Sequence, residues 1–283
     1  MTAARLRQRL EGGATIVLPG VWDPLSALVA RRAGFDALFV SGFAVAGSLL
    51  GVPDVGHLSQ TEMAEVARRI SRAVPDASVV VDADTGYGNA MNVKRTAALW
   101  EEAGAAGLFL EDQVWPKKCG HMPNKQVVAA DEWLAKIRAA VESRSSLFVT
   151  ARTDARGALG LAEDIERGRR ARDVGADAVF VEAPESADEL FAIAEALPDV
   201  TLVANMAEKG RTSDLDAAAL ADLGFRLLVS PVGLLFAGVD AMSDAAGSLR
   251  ASGSLGRVRA GRFDEFIDLV GLPMHQAEEE RFR

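Results

Sequence analysis

Short apolar runs alternate along the chain with longer amphipathic segments. Eight such runs lie at residues 15–20, 37–42, 78–84, 107–112, 147–154, 178–183, 201–206 and 226–231. Each is continuously apolar rather than alternating, which is typical of parallel strands buried on both faces. Their regular alternation with helical segments predicts successive βα units around a parallel sheet.

The intervening segments place apolar residues three to four positions apart, with charged residues between them. This pattern predicts helices at 24–34, 61–74, 93–104, 131–143, 162–175 and 187–197. A weak internal repeat, seen in AGFDALFV, AGAAGLFL, VGADAVFV and LGFRLLVS, puts a glycine shortly before the strand. Eight units in 283 residues favour a closed (β/α)₈ barrel over an open doubly wound sheet.

The C-terminal part of the chain follows the eighth run. Residues 234–254 predict the last barrel helix, and residues 261–283 predict one amphipathic helix or two short ones. We therefore expect one barrel domain over residues 1–283, with a C-terminal helical extension at 248–283. An apolar helix face needs cover, which either a neighbouring subunit or the chain's own barrel can provide.

Charge and composition restrict the partners. The chain has 31 Lys and Arg against 40 Asp and Glu, a formal net charge of -9, so we expect neither nucleic acid nor an anionic membrane as a partner. A small anionic substrate stays compatible, because local cations or a metal override the overall field. One cysteine excludes an intrachain disulfide, and the N-terminus lacks a secretory apolar segment. These features predict a cytoplasmic protein.

Acidic residues end two neighbouring strands. Asp82 and Asp84 end the third strand, and Glu111 ends the fourth. The carboxyl ends of barrel strands converge on one mouth, where adjacent carboxylates raise each other's pKa values. A hard divalent cation relieves this repulsion, so the pattern predicts Mg²⁺, with Mn²⁺ as a substitute. The alternative is that the acids form ordinary ion pairs at the mouth.

Further polar residues end other strands. They are Ser41, Gly42 and Phe43 after the second strand, Arg152 in the fifth, Glu182 after the sixth and Asn205 in the seventh. Arg152 is suited either to neutralising a neighbouring acid or to binding a substrate carboxylate through two hydrogen bonds. The turn at Ser41 and the amide of Asn205 offer neutral donors to substrate oxygen.

The loop at residues 113–126, named here the Cys119 loop, contains the single cysteine. Cys119 lies between Lys117-Lys118 and Gly120-His121. Adjacent cations favour the thiolate, which makes the thiol a competent proton donor or acceptor. The alternative is an inert, buried thiol. One Cys and three His are too few to favour a structural zinc site.

Several motifs together resemble the isocitrate lyase and phosphoenolpyruvate mutase superfamily. They are SGFAVA with GVPD (41–54), VVVDADTGYGN (79–89), FLEDQVWPKKCGH (109–121), ARTDA (151–155), FVEAP (180–184) and ANM (204–206). The resemblance runs from about residue 12 to the tail. It is strongest to the branch that contains petal death protein, 2,3-dimethylmalate lyase and methylisocitrate lyase.

The resemblance implies a modified barrel with a displaced last helix and tetramers in which C-terminal helices are exchanged. It implies Mg²⁺ bound directly by Asp84 and through water by Asp82 and Glu111, with Asp54 as a further candidate. Substrate contacts would come from Ser41, Gly42, Phe43, Asp54, Gly120, His121, Arg152, Glu182 and Asn205. Cys119 would be the general acid on a mobile loop, and Glu182 or a metal-associated water the general base.

The implied activity is carbon–carbon cleavage of a 2-alkylmalate or methylisocitrate type of hydroxy acid into a 2-oxo acid and a carboxylate. Phosphorus–carbon chemistry is the main alternative, because carboxyphosphonoenolpyruvate phosphonomutase resembles the same loop. Oxaloacetate hydrolysis is less favoured, since those relatives carry serine where we align Pro231. A metal-dependent aldolase of another barrel family would not need Cys119. A catalytically silent barrel is disfavoured, because the acids, the arginine and the cysteine expected at the active site are all present.

Overall fold

A computed structural model describes residues 2–120, 122, 124–206, 215–256, 258 and 261–283. Within these ranges, eight parallel strands close into a barrel in chain order. The strands are β1 (Ile16–Val21), β2 (Ala37–Val40), β3 (Ser78–Asp82), β4 (Gly107–Glu111), β5 (Phe148–Thr153), β6 (Ala178–Val181), β7 (Thr201–Asn205) and β8 (Phe225–Ser230). Each overlaps one of the predicted runs, so the predicted (β/α)₈ barrel is confirmed.

The strand register brings the predicted site residues to one end. Each strand pairs with the next, and β1 pairs with β8 to close the barrel. Glu111 lies opposite Arg152 across β4 and β5, and Asp82 lies opposite Phe109 across β3 and β4. The polar residues at the carboxyl ends therefore face a common mouth.

Helices surround the barrel on the outside. They are α1 (Thr2–Glu11), α2 (Pro24–Arg32), α3 (Gly42–Val45), α4 (Gln60–Ala73), α5 (Ala90–Glu102), α6 (Ala130–Ser143), α7 (Arg156–Leu159), α8 (Leu161–Asp173), α9 (Ala187–Ala196) and α10 (Ala217–Asp222), with a π-helical turn at Ala46–Leu50. The six segments predicted between strands are confirmed as helices. Side chains cap their N-termini: Ser59 and Glu62 form a capping box on α4, and Asn89 caps α5.

Apolar packing fills the barrel and its outer layer. Phe39, Phe109, Phe148 and Phe180 belong to a buried cluster within the barrel. Leu6 of α1 joins this cluster. A second, larger cluster includes the fully buried Trp100 and Trp133 of the outer helices. Such packing holds the strands in fixed register and so fixes the side chains at their ends.

The C-terminal extension forms α11 (Gly233–Ser252), α12 (Phe263–Leu269) and α13 (Leu272–Glu280). The tail thus contains the pair of short helices that the sequence allowed. Arg32 of α2 forms an ion pair with Asp268 at 2.7 Å, so α12 packs partly on its own barrel. Phe263, Met274 and Phe282 stay 82%, 76% and 83% exposed. The barrel therefore covers only part of the extension.

None of the helices in the described ranges combines the length and the apolar character that a membrane span requires.

Candidate active site

A cavity of about 250 Å³ opens at the carboxyl ends of the strands. Aromatic residues form much of its wall, including Phe39, Phe109, Phe180 and Phe236. Nine residues predicted from the sequence also line it: Ser41, Phe43, Asp54, Asp82, Cys119, Gly120, Arg152, Glu182 and Asn205. The structure therefore brings most of the predicted site residues together. His121 lies outside the described residues.

Ser41 and Gly42 connect β2 to the cavity. The sequence predicted a turn here, and that prediction is wrong, because Ser41 caps the short helix α3. Its hydroxyl accepts a hydrogen bond from the Ala44 amide at 3.3 Å. A Cβ atom at Gly42 would lie 2.9 Å from Oδ2 of Asp82, so the backbone approaches this acid closely. Ser41 lines the cavity, whereas Gly42 makes room for Asp82.

A buried acidic cluster lies at the ends of β3 and β4. The Asp84 amide donates to Oδ1 of Asp82 at 3.0 Å. Lys117, from the Cys119 loop, places Nζ 2.6 Å from Oδ1 of Asp54 and 2.7 Å from Oδ1 of Asp84. Asp84, Glu111 and Lys117 are each 3% exposed or less. The loop therefore supplies a buried cation to the cluster.

The electrostatics of the cluster follow from burial and crowding. Burial raises the pKa of Asp84 to about 6; Lys117 opposes this shift, while Asp82 and Asp54 add to it. Burial also raises the pKa of Glu111 well above its usual range, with Arg152 opposing the shift and Asp154 adding to it. Both shifts favour the protonated carboxyl forms more than in an isolated acid, and further positive charge would oppose them.

The donor chemistry of these residues fits a hard divalent cation. Oε1 of Glu111 is buried and accepts no hydrogen bond from the residues that the structure describes. In the same part of the chain, no three His, Cys, Asp or Glu side chains are grouped as a ready metal site. Asp82, Asp84 and Glu111 as metal ligands therefore stay a prediction, and Lys117 supplies positive charge between Asp54 and Asp84. Mg²⁺ commonly takes only one or two protein carboxylates and retains several waters, so one direct carboxylate with the other acids acting through water fits this ion.

Arg152 both pairs with acids and lines the cavity. Its Nε lies 3.0 Å from Oδ2 of Asp154, its Nη2 lies 3.1 Å from Oδ1, and its Nη1 lies 3.4 Å from Glu111. Burial alone would raise the pKa of Asp154, but Arg152 and Lys125 lower it to about 2. The ionised carboxylate of Asp154 thus holds the guanidinium of Arg152 in place.

Two sets of contacts within the Cys119 loop fix the backbone on either side of Cys119. Gln113 accepts a hydrogen bond from the Lys118 amide at 2.9 Å and donates one to its carbonyl at 2.8 Å. Lys125 donates to the Gly120 carbonyl at 2.6 Å. Cys119 lies between these contacts and is half-buried. Cys119 and Gly120, which line the cavity, are therefore held from both sides.

Gly120 lies against the two charged residues opposite. A Cβ atom there would be 2.2 Å from Oε1 of Glu182 and 2.6 Å from Nη2 of Arg152. Asn205 donates from Nδ2 to Oε1 of Glu182 at 3.4 Å. The loop backbone, the arginine and the glutamate thus form one tightly packed group beside Cys119.

The sequence did not predict the positions of Lys117 and Lys125. They are 3% and 7% exposed, and each binds an acid far away in sequence. The available signal was the excess of acids at the strand ends, which requires buried cations nearby. Phe236, which follows β8 and packs edge-on against Phe43 at 6.1 Å, was also not predicted.

Comparison with known proteins supports the resemblance seen in the motifs. The family model described as phosphoenolpyruvate phosphomutase matches residues 6–250. The chain is 42% identical over 275 residues to 2,3-dimethylmalate lyase of Eubacterium barkeri, covering 96% of this chain and 94% of that protein. It is 42% identical over 275 residues to the chloroplastic carboxyvinyl-carboxyphosphonate phosphorylmutase of Arabidopsis thaliana, covering 95% and 81%.

Solved structures agree. A crystal structure of 2,3-dimethylmalate lyase matches with a TM-score of 0.95 at 37% identity, covering 99% of this chain and 95% of that one. Phosphonopyruvate hydrolase in complex with oxalate and Mg²⁺ matches with a TM-score of 0.90 at 30% identity, covering 100% and 99%. The chain therefore belongs to the phosphoenolpyruvate mutase family, within the isocitrate lyase and phosphoenolpyruvate mutase superfamily.

Proposed function

We propose that this protein is a Mg²⁺-dependent carbon–carbon lyase that cleaves a 2-hydroxy di- or tricarboxylate into a 2-oxo acid and a carboxylate. The observation that carries the proposal is the position of Cys119, which lines the same cavity as Arg152, Glu182 and Asp82. A proton donor, a carboxylate-binding cation and buried acids thus face one small space. The similarity to 2,3-dimethylmalate lyase over nearly the whole chain supports the same substrate class.

Arg152 binds a substrate carboxylate through guanidinium hydrogen bonds, while Asp154 keeps the guanidinium oriented. Asp84 would hold Mg²⁺ directly, with Asp82, Glu111 and Asp54 acting through water. When bound, Mg²⁺ supplies a Lewis acid that lowers the pKa of the substrate hydroxyl.

Glu182 is suited to removing the hydroxyl proton, because it is 1% exposed and lies beside Gly120 and Arg152. Breaking the C2–C3 bond then gives the 2-oxo acid and a carbanion equivalent stabilised as an enediolate. Cys119 donates a proton to its carbon, which completes the carboxylate product. The Cys119 loop excludes water, which would otherwise compete as the proton source.

A phosphorus–carbon bond enzyme is the second candidate. Its support is the Arabidopsis phosphorylmutase, which has the same 42% identity over 275 residues as the lyase has. The two candidates differ in the substrate, which carries phosphorus only in the second. Pro231 lines the cavity at the position where we align the serine of oxaloacetate hydrolases, so oxalate release is not expected.

The test is product detection by mass spectrometry. The purified protein would be incubated with Mg²⁺ and a panel of 2-alkylmalates, methylisocitrate, isocitrate and oxaloacetate. A 2-oxo acid that requires both Mg²⁺ and Cys119 supports the lyase, with EDTA and Cys119→Ser as controls. Failure across this panel, together with turnover of a phosphonate, would support the second candidate instead.

The C-terminal extension at 248–283 supports an oligomer, and we propose separately that the protein is cytoplasmic. The exposed Phe263, Met274 and Phe282 require cover that the chain's own barrel does not give. We infer that a neighbouring subunit supplies it, within a tetramer of helix-exchanged dimers. Mass measurement by light scattering tests this, because a tail truncated after residue 252 would then give smaller particles.

A further inference from the structure

Lys125 joins the Cys119 loop to the barrel through its ammonium group. Its Nζ donates to the carbonyl oxygen of Gly120 at 2.6 Å and to Oδ1 of Asp154 at 2.6 Å. Lys125 is 7% exposed and Asp154 is fully buried. Lysine is rarely buried unless it is paired, so this ion pair is a fixed part of how the loop lies on the barrel.

Asp154 is shared between the loop and the cavity. The same carboxylate accepts hydrogen bonds from Arg152, with Nε at 3.0 Å and Nη2 at 3.1 Å. One buried acid therefore connects the lysine that holds the loop to the arginine that lines the cavity. Moving Lys125 would disturb both the loop and the charge balance around Arg152.

The two ends of the Cys119 segment are held separately. On one side, Gln113 binds the backbone of Lys118 through two hydrogen bonds. On the other side, Lys125 holds Gly120, whose Cα lies so close to Glu182 and Arg152 that a side chain would not fit. Of these two contacts, only the one made by Lys125 is connected to Arg152, because Lys125 and Arg152 share Asp154.

We propose that Lys125 is a positioning residue that keeps the Cys119 loop closed and aligns it with Arg152. It does so by fixing the Gly120 carbonyl to Asp154, without contacting the reacting atoms itself. This proposal depends on the proposed function at one point, namely that Cys119 is the proton donor. The closed position of the loop can be measured without any turnover.

The test uses Cys119 as its own reporter, because it is the only cysteine in the chain. The full-length protein with Mg²⁺ would be treated with iodoacetamide, and alkylation would be followed by mass spectrometry. Cys119 lies on the loop and is half-buried, so its alkylation rate rises as the open fraction of the loop rises. We expect the thiol of Lys125→Met to react about tenfold faster or more. Loss of hydrogen bonds from a charged group should shift the equilibrium between the closed and the open loop by at least that factor.

Lys94→Met is the matched control, because it removes the same charge from an exposed position on α5. Its alkylation rate should equal that of the unaltered protein. Lys125→Arg keeps the charge and the hydrogen-bond donors. Its alkylation rate should therefore be lower than that of Lys125→Met and closer to that of the unaltered protein. Circular dichroism establishes that each variant is folded. If Lys125→Met does not fold, Lys125→Gln replaces it in the same comparison with Lys125→Arg.

Kinetics give a second readout. With the substrate found in the product assay, the neutral Lys125 variant should lose about tenfold in kcat, with a smaller change in KM, because the proton donor is displaced while the metal-side contacts remain. Unchanged alkylation in the neutral variant would overturn the proposal, whatever happens to kcat. Faster alkylation in a protein without activity on any hydroxy acid would retain the proposal and reject the proposed lyase function.

Discussion

The ammonium nitrogen of Lys117 lies 2.7 Å from Oδ1 of Asp84, inside a cluster of buried acids. The same nitrogen lies 2.6 Å from Oδ1 of Asp54. A residue of the Cys119 loop thus provides positive charge at the carboxylates expected to hold the metal. Loop position and the charge state of the acids are therefore physically connected.

Removing this cation should destabilise the metal-free protein. We expect Lys117→Met to lower the free energy of unfolding by about 3–5 kcal/mol, because one partner of a buried charge pair is lost. Lys118→Met is the matched control: its ammonium contacts the exposed carbonyl of Asn124 at 3.0 Å, so little change is expected. Urea unfolding in EDTA measures both variants. Equal stability of the two variants would contradict this role of Lys117.

The raised pKa of Asp84 predicts a pH dependence of stability. The folded protein holds the Asp84 proton up to a pH of about 6, whereas the ordinary pKa is 3.8. The stabilising contribution is therefore complete below pH 3.8 and is lost as the pH rises through about 6. Relative to Asp84→Asn, the unaltered protein should lose on the order of 3 kcal/mol between these limits. Urea unfolding in EDTA across this range measures the difference, and parallel curves would contradict it.

Much of the fold could be predicted because its physical signal is local. The strands are buried on both faces, so their apolar runs are continuous in the sequence. The helices α4 and α5 begin at capping residues that are visible in the sequence, Ser59 and Asn89. The helix α1 was not predicted, because its arginines mask the spacing of Leu6 and Leu10, which join the barrel's apolar cluster.

Metal binding should weaken as the pH falls. Asp84 must lose its proton to act as an oxygen ligand, and its pKa is about 6. The affinity for Mg²⁺ should therefore fall about tenfold per pH unit below that value and level off above it. Isothermal titration calorimetry at several pH values gives the profile. An affinity that does not change with pH across this range would exclude Asp84 as a direct ligand.

Gly120 should tolerate no side chain. In Gly120→Ala, the new methyl group would meet Glu182 at 2.2 Å and Arg152 at 2.6 Å, so the loop must shift outward. A displacement of about 1 Å near the reacting atoms costs roughly 100-fold in kcat/KM. Gly47→Ala is the control, because a methyl group there has no described atom within 4 Å. Equal kcat/KM for the two variants would show that the loop does not lie over the site during turnover.

The acids and the arginine could be predicted because strand ends converge in any barrel of this kind. Lys117 and Lys125 could not, since lysines in a polar loop are usually exposed, and nothing local marks these two as buried. Their partners Asp84 and Asp154 come from β3 and the end of β5, which only the folded chain brings together with the loop.

The most direct test of the central claim is cleavage of 2,3-dimethylmalate in D₂O with Mg²⁺. The products of this cleavage are pyruvate and propionate. If Cys119 donates the proton, the propionate carries a single deuterium at C2, in one configuration. Cys119→Ser should bind Mg²⁺ normally and form neither product at a comparable rate. Equal turnover by Cys119→Ser, or propionate deuterated without stereochemical preference, would contradict Cys119 as the proton donor.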